Sequence, residues 1–190
     1  MKKYDDVKAE KVSSGREMLP AGGYVCQILS ARVESGEWGD TLVIAHDVCE
    51  GEFSGIFKRD YDSNTREDKK WRGKYVLFLP RDDGSQEDGW AKNRFNNVIG
   101  CIEDANDGYH WDWDEKKLRG KKIALVFRRE EYRKTDGTTG WTVKPFKAIS
   151  IGNCRDGKWG KYEDKPLSGS TPTSAPQFNE ISDDSELPFL

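Results

Sequence analysis

The sequence predicts a mainly β domain, a five-stranded Greek-key barrel with one helix between its third and fourth strands, followed by a flexible acidic tail. Three observations lead there. Apolar residues alternate over segments of strand length, and short turns bearing Gly or Asp join those segments. One segment, 91–105, carries its apolar residues at helical spacing instead. The end of the chain, from Leu167, is rich in Ser, Thr and Pro and closes on acids and a short apolar run.

Taken in order, residues 1–18 are polar and read as a flexible N-terminal segment. "YVCQILSARVES" alternates, with Val25, Leu29, Ala31 and Val33 on one face. A turn at Gly39-Asp40 leads into "TLVIAHDVCE", with Leu42, Ile44 and Val48 inward. After another tight turn, "FSGIFKRDY" reads as the third strand, with Phe53, Phe57, Arg59 and Tyr61 on a shared face. "DSNTREDKKWRGK" is a charged connection or short helix, and periodicity does not decide between strand and helix end for "YVLFLP". Ala91, Phe95, Val98, Ile99, Ile102 and Ala105 mark the helix, which Asn106-Asp107-Gly108 stops. "IALVFRREEYRK" and "WTVKPFKAISIG" are the fourth and fifth strands, joined by a loop carrying Asp136-Gly137. Pro145 lacks an N–H to give to a ladder, which predicts an edge position or a bulge. Three strands, a helix and two strands make the order of an OB-fold, whose loops 1–2 and 4–5 flank an oligonucleotide- or oligosaccharide-binding face. The expected divisions are an OB domain over 19–160, a Ser/Thr/Pro linker over 161–179 and an acidic tip over 180–190.

Composition narrows the function. Charged residues make up 34% and hydrophobic ones 35%, with 7 Trp, 7 Tyr and 8 Phe supplying much of the apolar area. Net charge is −3, but residues 168–190 hold four acids and no Lys or Arg. The rest is near neutral, with 30 acids against 31 bases, so local cationic stripes remain available to nucleic acid. Cys26, Cys49, Cys101 and Cys154 form no CxxC and read as reduced thiols of a cytosolic protein. No apolar run reaches transmembrane length, and "MKKYDDVKAE" lacks a signal-peptide core. Nucleophile-elbow, phosphate-loop and HExxH motifs are absent, so neither catalysis nor a cofactor is expected.

Alternation separates core from face. Ile123, Leu125 and Phe127 point inward on the fourth strand, leaving Arg128, Glu130 and Tyr132 outward. On the fifth, Val143, Ile149 and Ile151 go to the core, leaving Lys144 and Phe146 opposite. Cations for phosphates beside rings for unstacked bases is the pairing that single-stranded nucleic acid needs. The residues expected to contact DNA are Trp38, Arg128, Tyr132, Trp141, Lys144 and Phe146, with Arg59 and Tyr61 as weaker candidates; Phe57 is equally readable as core. Five cations within Lys116–Lys122 suit phosphate contact or a docking strip for the acidic tail, but a solvated turn explains them as well. His110, Asp112 and Asp114 in "HWDWD" are a conceivable metal set; a solvated edge capped by Trp111 and Trp113 is the stronger reading.

The ending "DDSELPFL", behind its Pro/Ser/Thr linker, is similar to the acidic tip of bacterial and phage single-stranded DNA-binding proteins. The stretches "LPAGGYVCQILSARVE" and "KNRFNNVIGCIEDANDGYHWDWDEKKLRGKKIALVFRREEY", with Lys144-Pro145, resemble a phage-encoded branch of that family. The resemblance implies sequence-independent coating of single-stranded DNA in replication, recombination or repair, in the cytoplasm of a bacterial host. It implies that Asp183, Asp184 and Glu186 steer toward a basic rim on replication or recombination proteins while Pro188 and Phe189 enter an apolar pocket. Leu190 departs from the pattern, because the family's terminal carboxylate sits on the Phe. The sequence sets no oligomeric state, and a homo-oligomer is compatible with it. Two other readings stay open: an OB-like module that holds a protein, and a metal-dependent nuclease using Asp112 and Asp114.

Overall fold

The computed structural model describes residues 18–167. Five strands form one antiparallel sheet: β1 (Gly22–Gly36), β2 (Gly39–Val48), β3 (Lys74–Phe78), β4 (Lys122–Arg133) and β5 (Thr139–Ile149), in the order β3-β2-β1-β4-β5. Three helices accompany it: α1 (Ile56–Ser63), α2 (Gln86–Asp104) between β3 and β4, and α3 (Ile151–Arg155) after β5. The edge strands β3 and β5 approach within 8 Å at their Cα atoms. Among the described residues no ladder joins them, so the sheet is unclosed. No helix among the described residues is long and apolar enough to cross a membrane.

One expected strand is a helix. "FSGIFKRDY" contains α1, and the third strand, β3, falls on the undecided "YVLFLP", starting one residue earlier at Lys74. The switch has a local cause. Gly51 and Gly55 adopt positive φ, turning the chain back toward β2. The Asp47 carboxylate on β2 then accepts from the N–H groups of Phe57 (3.0 Å) and Lys58 (3.0 Å), satisfying α1's first turn from outside the helix. Burial raises the Asp47 pKa, and those backbone N–H bonds partly offset the rise. Ile56 is buried, and Phe57 packs against His46 and Phe127 at ring distances of 5.6 and 6.3 Å. The spacing of Phe57 and Tyr61, which fits alternation, is equally the i, i+4 spacing of one helix face, from which Arg59 is excluded.

Two bulges redistribute the expected faces. Register slips between Ile28 and Ser30 in β1, so the inward set changes parity there. Cys26 and Ile28 are core before the slip and Ala31 packs on the core after it. Val25 instead faces the other side, against Ala124 and Cys154, and Val33 is exposed. In β5, Phe146 is the extra residue: Val126 pairs with Lys147 and Phe127 with Pro145. Beyond it Ala148 is core, while Ile149 and Ile151 join the Val25 cluster. Pro145 is therefore both on an edge strand and beside a bulge.

The main core places Ile123, Leu125 and Phe127 of β4 against Leu42 and Ile44 of β2, Tyr75 and Leu77 of β3, and Phe95, Val98 and Ile102 of α2. Ser85 caps α2 by accepting from Asp88 N–H (3.1 Å). At its other end the Asn106 amide donates to Ile102 and Lys122 carbonyls (2.7 and 2.9 Å) and accepts from Lys122 N–H (3.0 Å), fixing α2 to the start of β4. Glu50 receives Arg155 (2.7 Å) and Lys122 (3.0 Å), which pins α3 and holds the Glu50 carboxyl down to about 2, the Arg155 hydrogen bond being the first cause.

The chain after α3 runs back along the sheet. Trp159 covers Gly23, where an added Cβ would lie 2.5 Å from the indole. Tyr162 donates to the Ala21 carbonyl at 3.2 Å. Lys165 exchanges backbone bonds with β4 (Glu131 N–H to its carbonyl, 2.9 Å; its N–H to the Arg129 carbonyl, 2.8 Å), forming a parallel bridge at Glu130. β4 is thus flanked by β1 along Lys122–Phe127 and by this returning segment beyond it.

Candidate nucleic-acid interface

β4 and β5 form a long hairpin, and its register assigns the expected contact residues to faces. Arg128 lies opposite Lys144, Glu130 opposite Thr142 and Tyr132 opposite Gly140, all on the side away from the main core. Arg128 stands over the Phe146 ring at 4.8 Å, and Lys147 approaches the same ring at 5.5 Å. Glu130 holds the Arg128 guanidinium by two bonds of 3.0 and 2.9 Å to one carboxylate oxygen, which keeps the cation over the ring. Arg128, Tyr132, Lys144 and Phe146 are therefore brought together, with Tyr132 43% exposed.

Trp141 does not join them. It pairs with Glu131 on the opposite face, where Arg129 covers its ring at 4.7 Å and reaches Asp164 at 3.5 Å. Arg59 and Tyr61 belong to α1 rather than to a strand face. Arg59 donates to the Ser54 carbonyl. Tyr61 packs beside Trp71 at 5.9 Å, with Lys69 over its ring at 4.4 Å.

Trp38, at the tip of the β1–β2 hairpin, opens onto a different place. It lines a groove of about 340 Å³ with Phe78 at the end of β3, Arg81, and Trp90 and Arg94 of α2. Trp38, Phe78 and Trp90 are 56%, 40% and 62% exposed. Sequence reading missed Phe78, Arg81, Trp90 and Arg94. A signal for Trp90 existed: a tryptophan just off the apolar stripe of α2 has no core place to fill.

The remaining candidates are committed locally. Asp112 pairs with Lys117, and Asp114 accepts from Lys116 N–H at 3.0 Å, capping a 3₁₀ turn over Glu115–Leu118. His110 lies 3.9 Å from Glu103. Among the described residues no three His, Cys, Asp or Glu side chains are grouped to hold a metal ion. Trp111 packs on Phe95 at 5.6 Å, and Trp113, 75% exposed with φ of 71°, stacks on Phe95 at 6.1 Å. In the basic run, Leu118 is core, Lys122 pairs with Glu50, and Lys121 covers Tyr109 at 4.2 Å. Burial pushes the thiols of Cys101 and Cys154 up to about 11 and raises that of Cys26 well above its ordinary value, which disfavours the reactive thiolates. The tail candidates Asp183, Asp184, Glu186, Pro188 and Phe189 lie outside the described residues.

The chain matches no protein-family model, and a search of the curated proteins finds no match.

Proposed function

We propose that this chain is an OB-type protein that binds single-stranded DNA without sequence preference and without chemistry, in phage DNA replication, recombination or repair. The strand order β3-β2-β1-β4-β5, with a helix between β3 and β4, is that of an unrolled OB barrel and supports the fold. The observation that carries the function is the outer face of the β4–β5 hairpin. There a guanidinium held by Glu130 lies over Phe146, Lys144 lies opposite Arg128, and Tyr132 stands exposed further along. Guanidinium planes and rings both accept stacked bases, and the cations answer the phosphates. The acidic tip, Asp183, Asp184 and Glu186 followed by Pro188 and Phe189, recruits partner proteins in this reading.

Oligo-dT titration followed by tryptophan fluorescence and native mass measurement tests it. Binding that weakens steeply with salt is expected, because phosphate contacts release counterions. Absence of binding at low salt overturns the reading and leaves a protein-holding module in its place.

A further inference from the structure

We propose that the groove between the β1–β2 hairpin tip and the first half of α2 is a second nucleic-acid subsite, one that seats an unpaired base of the same strand held by the β4–β5 hairpin. The inference rests on the single-stranded DNA reading and adds a place and a path to it.

The groove is built for a flat, partly anionic ligand. Three exposed rings, Trp38, Phe78 and Trp90, come from three different elements and line one space. Its volume, about 340 Å³, falls within the range of small-ligand sites. Two guanidinium groups, Arg81 and Arg94, share the lining. Of the two acids there, Asp88 is already spent: its carboxylate accepts Arg81 and Asp82 N–H (2.8 and 3.1 Å) and pairs with Lys92 at 3.0 Å. That leaves Glu87 as the opposing charge, against two arginines. Arg81 also pairs with Asp83 at 3.3 Å, an exposed contact that a phosphate can replace at little cost.

Continuity supplies the occupant. Arg94 donates to the Phe146 carbonyl at 3.1 Å, and the ring of that same Phe146 carries Arg128. The two aromatic–cation sites therefore meet at one residue across the gap between β3 and β5. A strand stacked on the hairpin face and leaving past Phe146 encounters Arg94 next and the three rings after it. A folded protein surface would need a complementary ridge, whereas single-stranded nucleic acid brings flat apolar faces and phosphates in alternation.

The test compares Trp90→Ala with Tyr132→Ala in the full chain, using oligo-dT of increasing length. Trp90 is largely exposed, so its removal should leave the thermal midpoint near wild type. For oligonucleotides long enough to span both sites, Trp90→Ala should weaken binding about ten-fold, the effect of one lost stack. For the shortest oligonucleotides that bind, it should change affinity less than about two-fold, while Tyr132→Ala weakens both. Photocrosslinking with 5-iodouracil-substituted oligo-dT should mark the peptides holding Trp90 or Trp38. Length-independent indifference to Trp90→Ala, with no crosslink in the groove, overturns the subsite while oligo-dT binding by the wild type leaves the function standing. A wild-type chain that binds no oligo-dT overturns both.

Discussion

His46 is fully buried between Phe57 and Phe127, and its Nε2 has no hydrogen-bond partner among the described residues. Burial lowers its pKa from 6.5 to about 4, so the folded protein holds it neutral. The unfolded chain takes up the proton first as pH falls. The resulting contribution is fully present above about 6.5 and is lost between there and about 4, by at most ~1.4 kcal/mol per pH unit. Thermal midpoints of the wild type should fall through that window, and those of His46→Leu should fall less. Asp47, raised by burial, works in the opposite sense, so the difference between the two proteins is the quantity to measure. Gly73, whose carbonyl accepts from the His46 N–H at 2.7 Å, tolerates no side chain. An added Cβ would lie 2.1 Å from the His46 carbonyl oxygen, and that oxygen also accepts from Trp71. Gly73→Ala should cost at least ~1–3 kcal/mol by denaturant melt, since backbone must move.

Strand patterning was legible where no residue is inserted into the strand, even though both faces of β2 and of the first half of β4 are buried. β2 and β4 follow their alternation without a break: Leu42, Ile44 and Val48 inward, then Ile123, Leu125 and Phe127. β1 and β5 defeated it because a single inserted residue reverses every side chain beyond it, and alternation carries no mark of the insertion. Pro145 was the one residue that did announce a bulge. α1 was misread because its helix start is set by Asp47, a residue of the previous strand, rather than by a local cap. The same element-scale logic splits the expected contacts. Tyr132→Ala should lower oligo-dT affinity about ten-fold with little change in midpoint. Trp141→Ala removes the ring under Arg129 on the inner face and should lower the midpoint more than the affinity. Arg128→Ala and Lys144→Ala should each reduce the salt slope of binding by about 0.7.

At the scale of the whole molecule, the mainly antiparallel sheet and the helix before β4 were readable from segment order alone. The groove at Trp90 was not, because it gathers Trp38, Phe78 and α2 from segments with no shared local pattern. The proposed division of labour between body and tip gives a further expectation. Truncation after Ser182 should leave oligo-dT affinity equal or raised, since it removes Asp183, Asp184 and Glu186, three acids able to compete with phosphates for cations, and should abolish partner capture in pull-downs. A large loss of DNA affinity would contradict that division. The returning segment over residues 156–167 has a mechanical consequence. A pull transmitted through the chain beyond Leu167 reaches the Leu167 N–H bond to Glu131 first (3.1 Å), then the two Lys165 backbone bonds, then Tyr162 and Trp159. Once those have peeled away, the next elements in line along the chain are α3 and then β5, whose ladder with β4 is long. The segment is a fuse in series with the sheet, placed to yield to a pull from beyond Leu167 before the core does.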